Sequence, residues 1–335
     1  MADLAGPGVL TSASHPQHDA RRPTGGRQHV PPLIVVAGAT ATGKSGLAIR
    51  LAETYLAEGR PVVVISADSR QVYRGLDIGT AKVTEAERER VPHVGLDLVE
   101  PSERFSLADF ATHARVALAE VAGRDGVGLL VGGTGLYLRA IARGLDLESL
   151  PDDPAVRSGL EAELADGGLG PLVDRLRSVA PVLAAATDTA NPRRVLRALE
   201  IAQVRGDGPR PAPRGYDGPL VWLGLTVDRS EHERRIAVRA RAQFDAGLVA
   251  EAIALRERFD PGLPAFSAIG YHEAWEVADG VRTLDDAIDL DARRNVSFAA
   301  RQRTWFRSEP VVTWLDATDR DPLPVALRLA HEVTG

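Results

Sequence analysis

Between Leu33 and about Leu315 the chain alternates short, unbroken apolar runs with longer segments of helical period. Leu33–Ala37, Val62–Ile65 and Gly128–Val131 carry four or five residues each, rich in valine and leucine, with no in–out alternation. Such runs suit strands covered on both faces, as in a parallel sheet sandwiched between helices. After the first run comes a glycine-rich loop, then Leu47, Leu51 and Tyr55 at helical spacing. The pattern predicts an α/β fold. From about Asp146 the texture changes. Leu150-Pro-Asp-Asp-Pro154 reads as a linker ending in a helix start, and helical segments run to about Val204 with a break at Gly167–Gly170 and no strand signal. A strand pattern returns at Leu220–Val227, helices dominate from Glu231 to about Arg307, and Val311–Leu315 is a last strand. Residues 1–30 lack any periodicity and are expected to be a disordered extension. The expected division is therefore a core of residues 31–146 and 205–335, with C-terminal helices, interrupted by a mainly helical insertion over 147–204.

Composition narrows the classes. The 335 residues contain no cysteine, which excludes a disulfide framework, a thiolate metal site and a cysteine nucleophile. No apolar run is long enough to span a bilayer, and residues 1–30 have no apolar stretch of the secretory kind. A soluble cytoplasmic protein with no membrane partner is expected. The net charge of −6 argues against a protein that coats nucleic acid unselectively, while leaving room for a local basic groove. Of 40 basic residues only Lys44 and Lys82 are lysine. An ammonium and a guanidinium are not interchangeable, so these two positions draw notice.

Gly38-Ala39-Thr40-Ala41-Thr42-Gly43-Lys44-Ser45 matches G-x-x-x-x-G-K-[ST] between a predicted strand and a predicted helix. Successive backbone amides in such a loop turn inward around an oxyanion, and the helix N-terminus adds positive potential. Lys44 would bind diphosphate or triphosphate oxygens, and the Ser45 hydroxyl would reach a Mg²⁺ ion. A chance match is expected in only about 2 of 1000 chains of this composition, so a phosphate-rich ligand follows. The loop does not choose between ATP and another diphosphate. The fold class thus sharpens to a P-loop NTPase-like parallel sheet flanked by helices.

After the second strand stands Asp68-Ser-Arg-Gln-Val-Tyr-Arg-Gly-Leu-Asp-Ile-Gly-Thr-Ala-Lys82. Asp68 falls just past a strand's C-terminal end, where α/β sites are built. By itself it reads equally as a turn or helix-cap residue. With the phosphate loop and Gly132-Gly-Thr-Gly-Leu-Tyr137, however, the segment resembles the tRNA dimethylallyltransferase (tRNA isopentenyltransferase) family. Asn191-Pro-Arg-Arg-Val-Leu-Arg-Ala-Leu-Glu200, Ala268-Ile-Gly-Tyr-His-Glu273 and Arg301-Gln-Arg-Thr-Trp-Phe-Arg307 extend the resemblance over nearly everything from Leu33 to about Leu315. Ala39, where the family commonly has proline, and Thr42, often serine, depart from it without removing a backbone donor.

The resemblance implies transfer of a dimethylallyl group from dimethylallyl diphosphate to N6 of adenosine 37, beside the anticodon of tRNA, by a Mg²⁺-using monomer. The phosphate loop would then hold the leaving diphosphate. Asp68 would take the proton from N6, and Thr134 would contact substrate at the same sheet edge. Asp68, Ser69, Arg70, Gln71, Thr134 and Arg157 are implied tRNA contacts, with Arg193, Arg194, Val195, Leu196 and Arg197 at the anticodon loop. Arg239 is implied as a diphosphate ligand. Arg301 and Arg303, on the basic helix that also carries Phe298 and Trp305, are expected as further tRNA contacts. The residues themselves allow plainer readings: Arg157 a solvated helix residue, Arg193–Arg197 a helix packing on Val195 and Leu196, Lys82 an exposed turn lysine. Arg294, Phe298, Arg301 and Trp305 share one helical face, which suits stacking on unpaired bases but equally a core seam edged by arginines. His272 lacks metal-ligand spacing. A small-molecule P-loop kinase, an adenylate-accepting prenyltransferase and a non-catalytic RNA-binding module are the competing classes. The Asp68–Lys82 segment and the arginine-rich second half weigh against the kinase. The length after Val204 with its arginine and aromatic helix favours a macromolecular acceptor over a free adenylate, and in a non-catalytic module Asp68 beside the phosphate loop would have no chemical role.

Overall fold

The computed structural model describes residues 30–147, 153–209 and 211–335. The expected N-terminal extension, save Val30, and most of the 150–154 linker lie outside them. Six strands form one all-parallel sheet: β1 (Leu33–Gly38), β2 (Val62–Ser66), β3 (His93–Val94), β4 (Val127–Gly132), β5 (Leu220–Thr226) and β6 (Thr313–Asp316), in the order β3-β2-β4-β1-β5-β6. The last strand begins two residues later than expected. Its pairing starts at Leu223↔Thr313, and Val311 stays exposed ahead of it.

The continuous apolar runs are explained by cover on both faces. Ile34, Val36, Val62, Val64, Leu129 and Val131 point to one side, where α1 (Lys44–Ala57) and α13 (Leu323–Thr334) bury Leu47, Leu51, Tyr55, Ala326 and Ala330 against them. Leu33, Val35, Ala37, Val63, Ile65 and Leu130 point to the other, against α3 (Leu107–Ala122) and α4 (Gly135–Ala142) through Phe110, Ala114, Leu118, Tyr137 and Leu138. Alternate residues of one strand thus feed two cores, as the period of two requires. The short α2 (Glu85–Arg90) is closed by a reciprocal Thr84–Glu87 capping box.

A third layer sits beyond the carboxyl ends of the strands. α9 (Arg229–Asp245), α10 (Leu248–Arg258), a 3₁₀ turn (Pro264–Ser267), α11 (Tyr271–Ala278) and α12 (Leu284–Phe306) gather Phe244, Leu248, Phe266, Tyr271 and Trp275 around Val72, Tyr73 and Leu76. This cluster is separate from the two sheet cores. It fixes the chain that follows β2. The inserted helices α5 (Pro154–Gly167), α6 (Leu169–Val179), α7 (Pro181–Ala185) and α8 (Pro192–Arg205) close on their own apolar cluster, built from Leu160, Leu172, Leu176, Leu183, Val195, Leu196 and Leu199. Asn191 caps α8 by accepting from the Arg194 amide, with Pro192 in the first turn. Among the described residues no helix is long and apolar enough to cross a membrane.

Candidate active site

The loop Gly38–Ser45 joins β1 to α1 and turns through two left-handed residues, Ala41 (φ 59°) and Gly43 (φ 94°). An alanine in that region is strained and persists only when neighbours over-determine it. Here they do. The Ala39 carbonyl accepts from Thr42 Oγ1 at 2.9 Å and from Lys44 Nζ at 2.6 Å. All three polar groups of Thr40 are held by side chains from distant helices. Its N–H donates to Gln302 Oε1 at 2.8 Å, its carbonyl accepts from His232 Nε2 at 2.7 Å, and its hydroxyl accepts from Arg239 Nη1 at 3.0 Å. Arg303 Nη1 in turn donates to His232 Nδ1 at 2.8 Å, which assigns a neutral ring protonated on Nε2. Burial first, then the nearby cations, keep that imidazole below its usual titration range.

Asp68 lies past β2, across the mouth of the loop. Its Oδ1 accepts the Arg70 amide at 2.8 Å, closing a tight turn. The Ser69 amide donates to Thr134 Oγ1 at 3.1 Å, and the Thr134 amide to the Ala67 carbonyl at 3.2 Å. The turns after β2 and β4 are thereby stitched together. Gly132 makes this possible, since a Cβ there would lie 2.1 Å from the Ala67 oxygen.

These groups open on one cavity of about 690 Å³, lined by Lys44, Ser45, Asp68, Thr134, Arg239 and Arg301 together with apolar Val64, Val83, Leu96 and Val131. Lys44, Arg70, Arg239, Arg293, Arg294 and Arg301 line it against one carboxylate, that of Asp68. Desolvation, and then the Arg239 charge, bring the Lys44 ammonium down to about 8, with Asp68 opposing. Burial likewise lowers Arg239, and Asp68 and Asp291 oppose it. At Lys44 and Arg239 the cavity therefore holds positive charge that is poorly solvated, with further guanidinium groups around it, an electrostatic host for a polyanion.

The structure thus unites the phosphate loop with Asp68, Ser69, Arg70, Gln71, Thr134, Arg239 and Arg301. Two of these are more constrained than expected: Arg70 is tied to the Pro264 carbonyl and Ser267 Oγ, and Gln71 to the Thr80 and Ala81 carbonyls and the Ser66 hydroxyl. Arg157, Arg193, Arg194 and Arg197 lie on the insertion and do not line the cavity. Arg157 and Arg197 bracket the buried Glu200 at 2.6 and 2.7 Å, a charge cluster inside the insertion. Val195 and Leu196 need correcting outright as RNA contacts. At 0% and 3% exposure their side chains form the insertion's core, where an apolar residue gains most by leaving water. Arg303, expected at the RNA surface, reaches the back of the phosphate loop through His232 instead.

Lys82 is not an exposed turn lysine. Its ammonium satisfies all three donors internally, on the Tyr73 carbonyl, Asp77 and Asp97. The aromatic face of α12 divides. Phe298 remains 38% exposed on the cavity with the Arg301 guanidinium 5.8 Å from its ring centre. Trp305 packs onto Gly135 under Arg139. His272 meets Trp275 edge-on, and among the described residues no group of three histidines or carboxylates could hold a metal by itself. Gln302, His232 and the buried pair Glu273–Asp291 were not foreseen. Asp291, raised to about 6 by burial and then by Glu273, is bonded by Asn295 beneath the cavity, while Glu273 takes Arg294. Nothing local in the sequence marks any of these as site residues.

A parallel sheet whose first turn has the form of a phosphate loop, with one acid among the described lining residues opposite several cations, defines a P-loop enzyme of group transfer. The IPP transferase family model matches residues 71–309. A tRNA dimethylallyltransferase of Kineococcus radiotolerans is 43% identical over 306 residues, 89% of this chain and 95% of the relative. One from Halalkalibacterium halodurans is 41% identical, covering 86% and 92%. Among solved structures, the full-length tRNA isopentenylpyrophosphate transferase of Bacillus halodurans superposes with a TM-score of 0.65 at 39% identity, over 91% of this chain and 96% of that one. A eukaryotic dimethylallyltransferase acting on tRNA gives 0.71 at 26% identity, over 86% and 74%. The chain belongs to the tRNA dimethylallyltransferase family, prenyl-transferring enzymes whose substrate is tRNA.

Proposed function

We propose that this enzyme transfers the dimethylallyl group of dimethylallyl diphosphate to N6 of adenosine 37, next to the anticodon, giving N6-(dimethylallyl)adenosine. The observation that carries the reading is the lone Asp68 carboxylate facing a phosphate loop and a cationic cavity wall. An adenine N6 amine is a weak nucleophile. As its C–N bond forms at C1 of the prenyl group, the C1–O bond to diphosphate breaks and Asp68 accepts the N6 proton. Lys44, Arg239 and the loop amides stabilise the charge that grows on the departing diphosphate. Ser45, exposed in the first turn of α1, is the protein oxygen that would hold Mg²⁺ alongside the diphosphate. So small a donor set fits a cation that keeps most of its waters and takes the rest from phosphate. Bound there, Mg²⁺ supplies further positive charge against the leaving group.

The base must leave its stack to reach Asp68. Phe298 and Arg301 on the cavity suit stacking and phosphate contact, and the exposed Arg193 and Arg194 of α8 suit the anticodon loop. A cysteine-free chain suits the cytoplasm where tRNA is modified, and action as a monomer belongs to the same proposal. Incubation with total tRNA and labelled dimethylallyl diphosphate, without ATP, should yield N6-prenyladenosine after digestion. Label that enters tRNA only when ATP is added, with stoichiometric ADP release, would return the loop to a kinase-like role.

A further inference from the structure

Thr40 and Gly133 lie 93 residues apart in sequence, in the turns just past the neighbouring strands β1 and β4, whose backbone pairing ends at Ala37↔Gly132; beyond the strand ends one side chain spans the two turns. Gln302, only 8% exposed, accepts from the Thr40 amide through Oε1 and donates through Nε2 to the Gly133 carbonyl at 3.0 Å. Both ends of the carboxamide are thus used, and rotating it by half a turn would set donor against donor and acceptor against acceptor. Gly133 accommodates the contact because a Cβ there would stand 2.3 Å from Nε2. The next residue, Thr134, receives the Ser69 amide and so holds the turn that carries Asp68. A short physical path therefore runs from Thr40 through Gln302 and Gly133–Thr134 to Ser69 and Asp68.

Its neighbours on α12 divide the remaining work. Arg301 faces the cavity with Phe298, and Arg303 braces His232 against the Thr40 carbonyl. We infer that Gln302 is a positioning residue for the transfer, holding the diphosphate loop and the Asp68–Thr134 pair in one fixed relation, with α12 as the rigid element that carries it. The inference rests on the reaction proposed above. Near-attack geometry is steep in distance, so a misplacement of about 1 Å can cost on the order of 100-fold in rate. The residue touches neither prenyl carbon nor adenine in this reading; it acts through the two turns.

The test is a single-turnover rate with labelled dimethylallyl diphosphate and total tRNA, alongside separate donor and tRNA affinities. Gln302→Met keeps the bulk and removes both hydrogen bonds. It should slow single turnover by about 10- to 100-fold while changing tRNA affinity less than about threefold. Gln302→Glu supplies a signature that mere packing does not. A protonated carboxyl accepts from Thr40 and donates to Gly133, as the amide does, whereas the carboxylate cannot donate. Its rate relative to the unaltered enzyme should therefore rise as pH is lowered from 8 to 5.5, at temperatures where circular dichroism shows both proteins folded. A folded Gln302→Met enzyme within threefold of the normal rate, a loss confined to tRNA affinity, or a flat relative profile for Gln302→Glu would each overturn the inference. Should Gln302→Met fail to fold, the relative pH profile decides alone. If the unaltered enzyme transfers no label, the reaction assignment fails rather than the role of Gln302.

Discussion

Two arginine-bearing helices, α8 in the insertion and α12 in the core, look alike as sequence and differ in what they touch. Each carries arginines at helical spacing over an apolar stripe. On α8 the stripe is the insertion's own core, Arg197 turns to the buried Glu200, and Arg193 and Arg194 are exposed. On α12 the same ingredients meet the candidate active site: Arg301 lines the cavity, Gln302 bridges two turns, and Arg303 supports the phosphate loop through His232. The difference teaches that charge on a helix has no role until its partners are known. Arg197 beside a buried carboxylate ties the insertion together, whereas Arg303 beside His232 and Arg301 on an open cavity are placed to act on the phosphate loop and on a ligand.

The sharpest way to test the comparison is to disable the core site and ask whether the insertion notices. Asp68→Asn is nearly isosteric and still accepts a hydrogen bond, but it cannot take a proton. Single-turnover rate should fall by roughly 10²–10⁴-fold with tRNA affinity, measured by filter binding, little changed. A near-normal rate would remove Asp68 from the mechanism.

The reciprocal experiment strikes the insertion. Glu200→Gln leaves Arg157 and Arg197 without their shared carboxylate, which is 5% exposed while the arginines are about one-third exposed. Allowing for that solvent screening, the insertion should lose about 1–2 kcal/mol. Hydrogen exchange should speed up in the amides of α5–α8 and stay unchanged in β1 and β4. Uniform acceleration through both regions would contradict an independently packed insertion.

Protonation separates the regions next. The ammonium of Lys44 is held near 8, so it is charged at pH 7 and loses its charge as pH rises through that value. Donor affinity should then weaken above pH 8, by up to about tenfold per unit, and binding near pH 8 should take up protons. Calorimetry in two buffers of different ionisation enthalpy measures this. Lys44→Ala should bind donor weakly and without the dependence, whereas tRNA binding through α8 should show none of it.

The smallest expected effects divide α12 against itself. Arg301→Ala should weaken tRNA binding by about three- to tenfold, and its salt dependence should become shallower by close to one phosphate contact, with donor affinity unchanged. Arg303→Ala should do the reverse, because its partner is His232 behind the phosphate loop. Identical profiles for the two variants would mean that the faces of α12 are not distinct.

Much of this molecule was decided locally and could be read from the chain. β1, β2, β4 and most of β5 were legible as apolar runs because burial on both faces forces continuous hydrophobicity over five residues or so, whereas β6, with only Leu315 buried, begins two residues later than its run suggests. The phosphate loop was legible because its motif depends on consecutive backbone amides, whereas the Asn191 cap that starts α8 appears only in the structure. β3 escaped notice: two residues, His93 and Val94, leave no period to read. The burial of Lys82, Val195 and Leu196 is not legible in the chain, because motif position says nothing about which way a side chain points. What only the tertiary structure decided is the set of contacts between residues far apart in sequence. Gln302 meets Thr40 across 262 positions, His232 meets the same residue across 192, and Glu309 meets Arg139 across 170. Local sequence sets dihedral preferences and hydrophobic period, which act over a few residues. Which donor finds which acceptor is settled only when helices and sheet pack, since a buried polar group must be paired and folding selects the arrangement that pairs it.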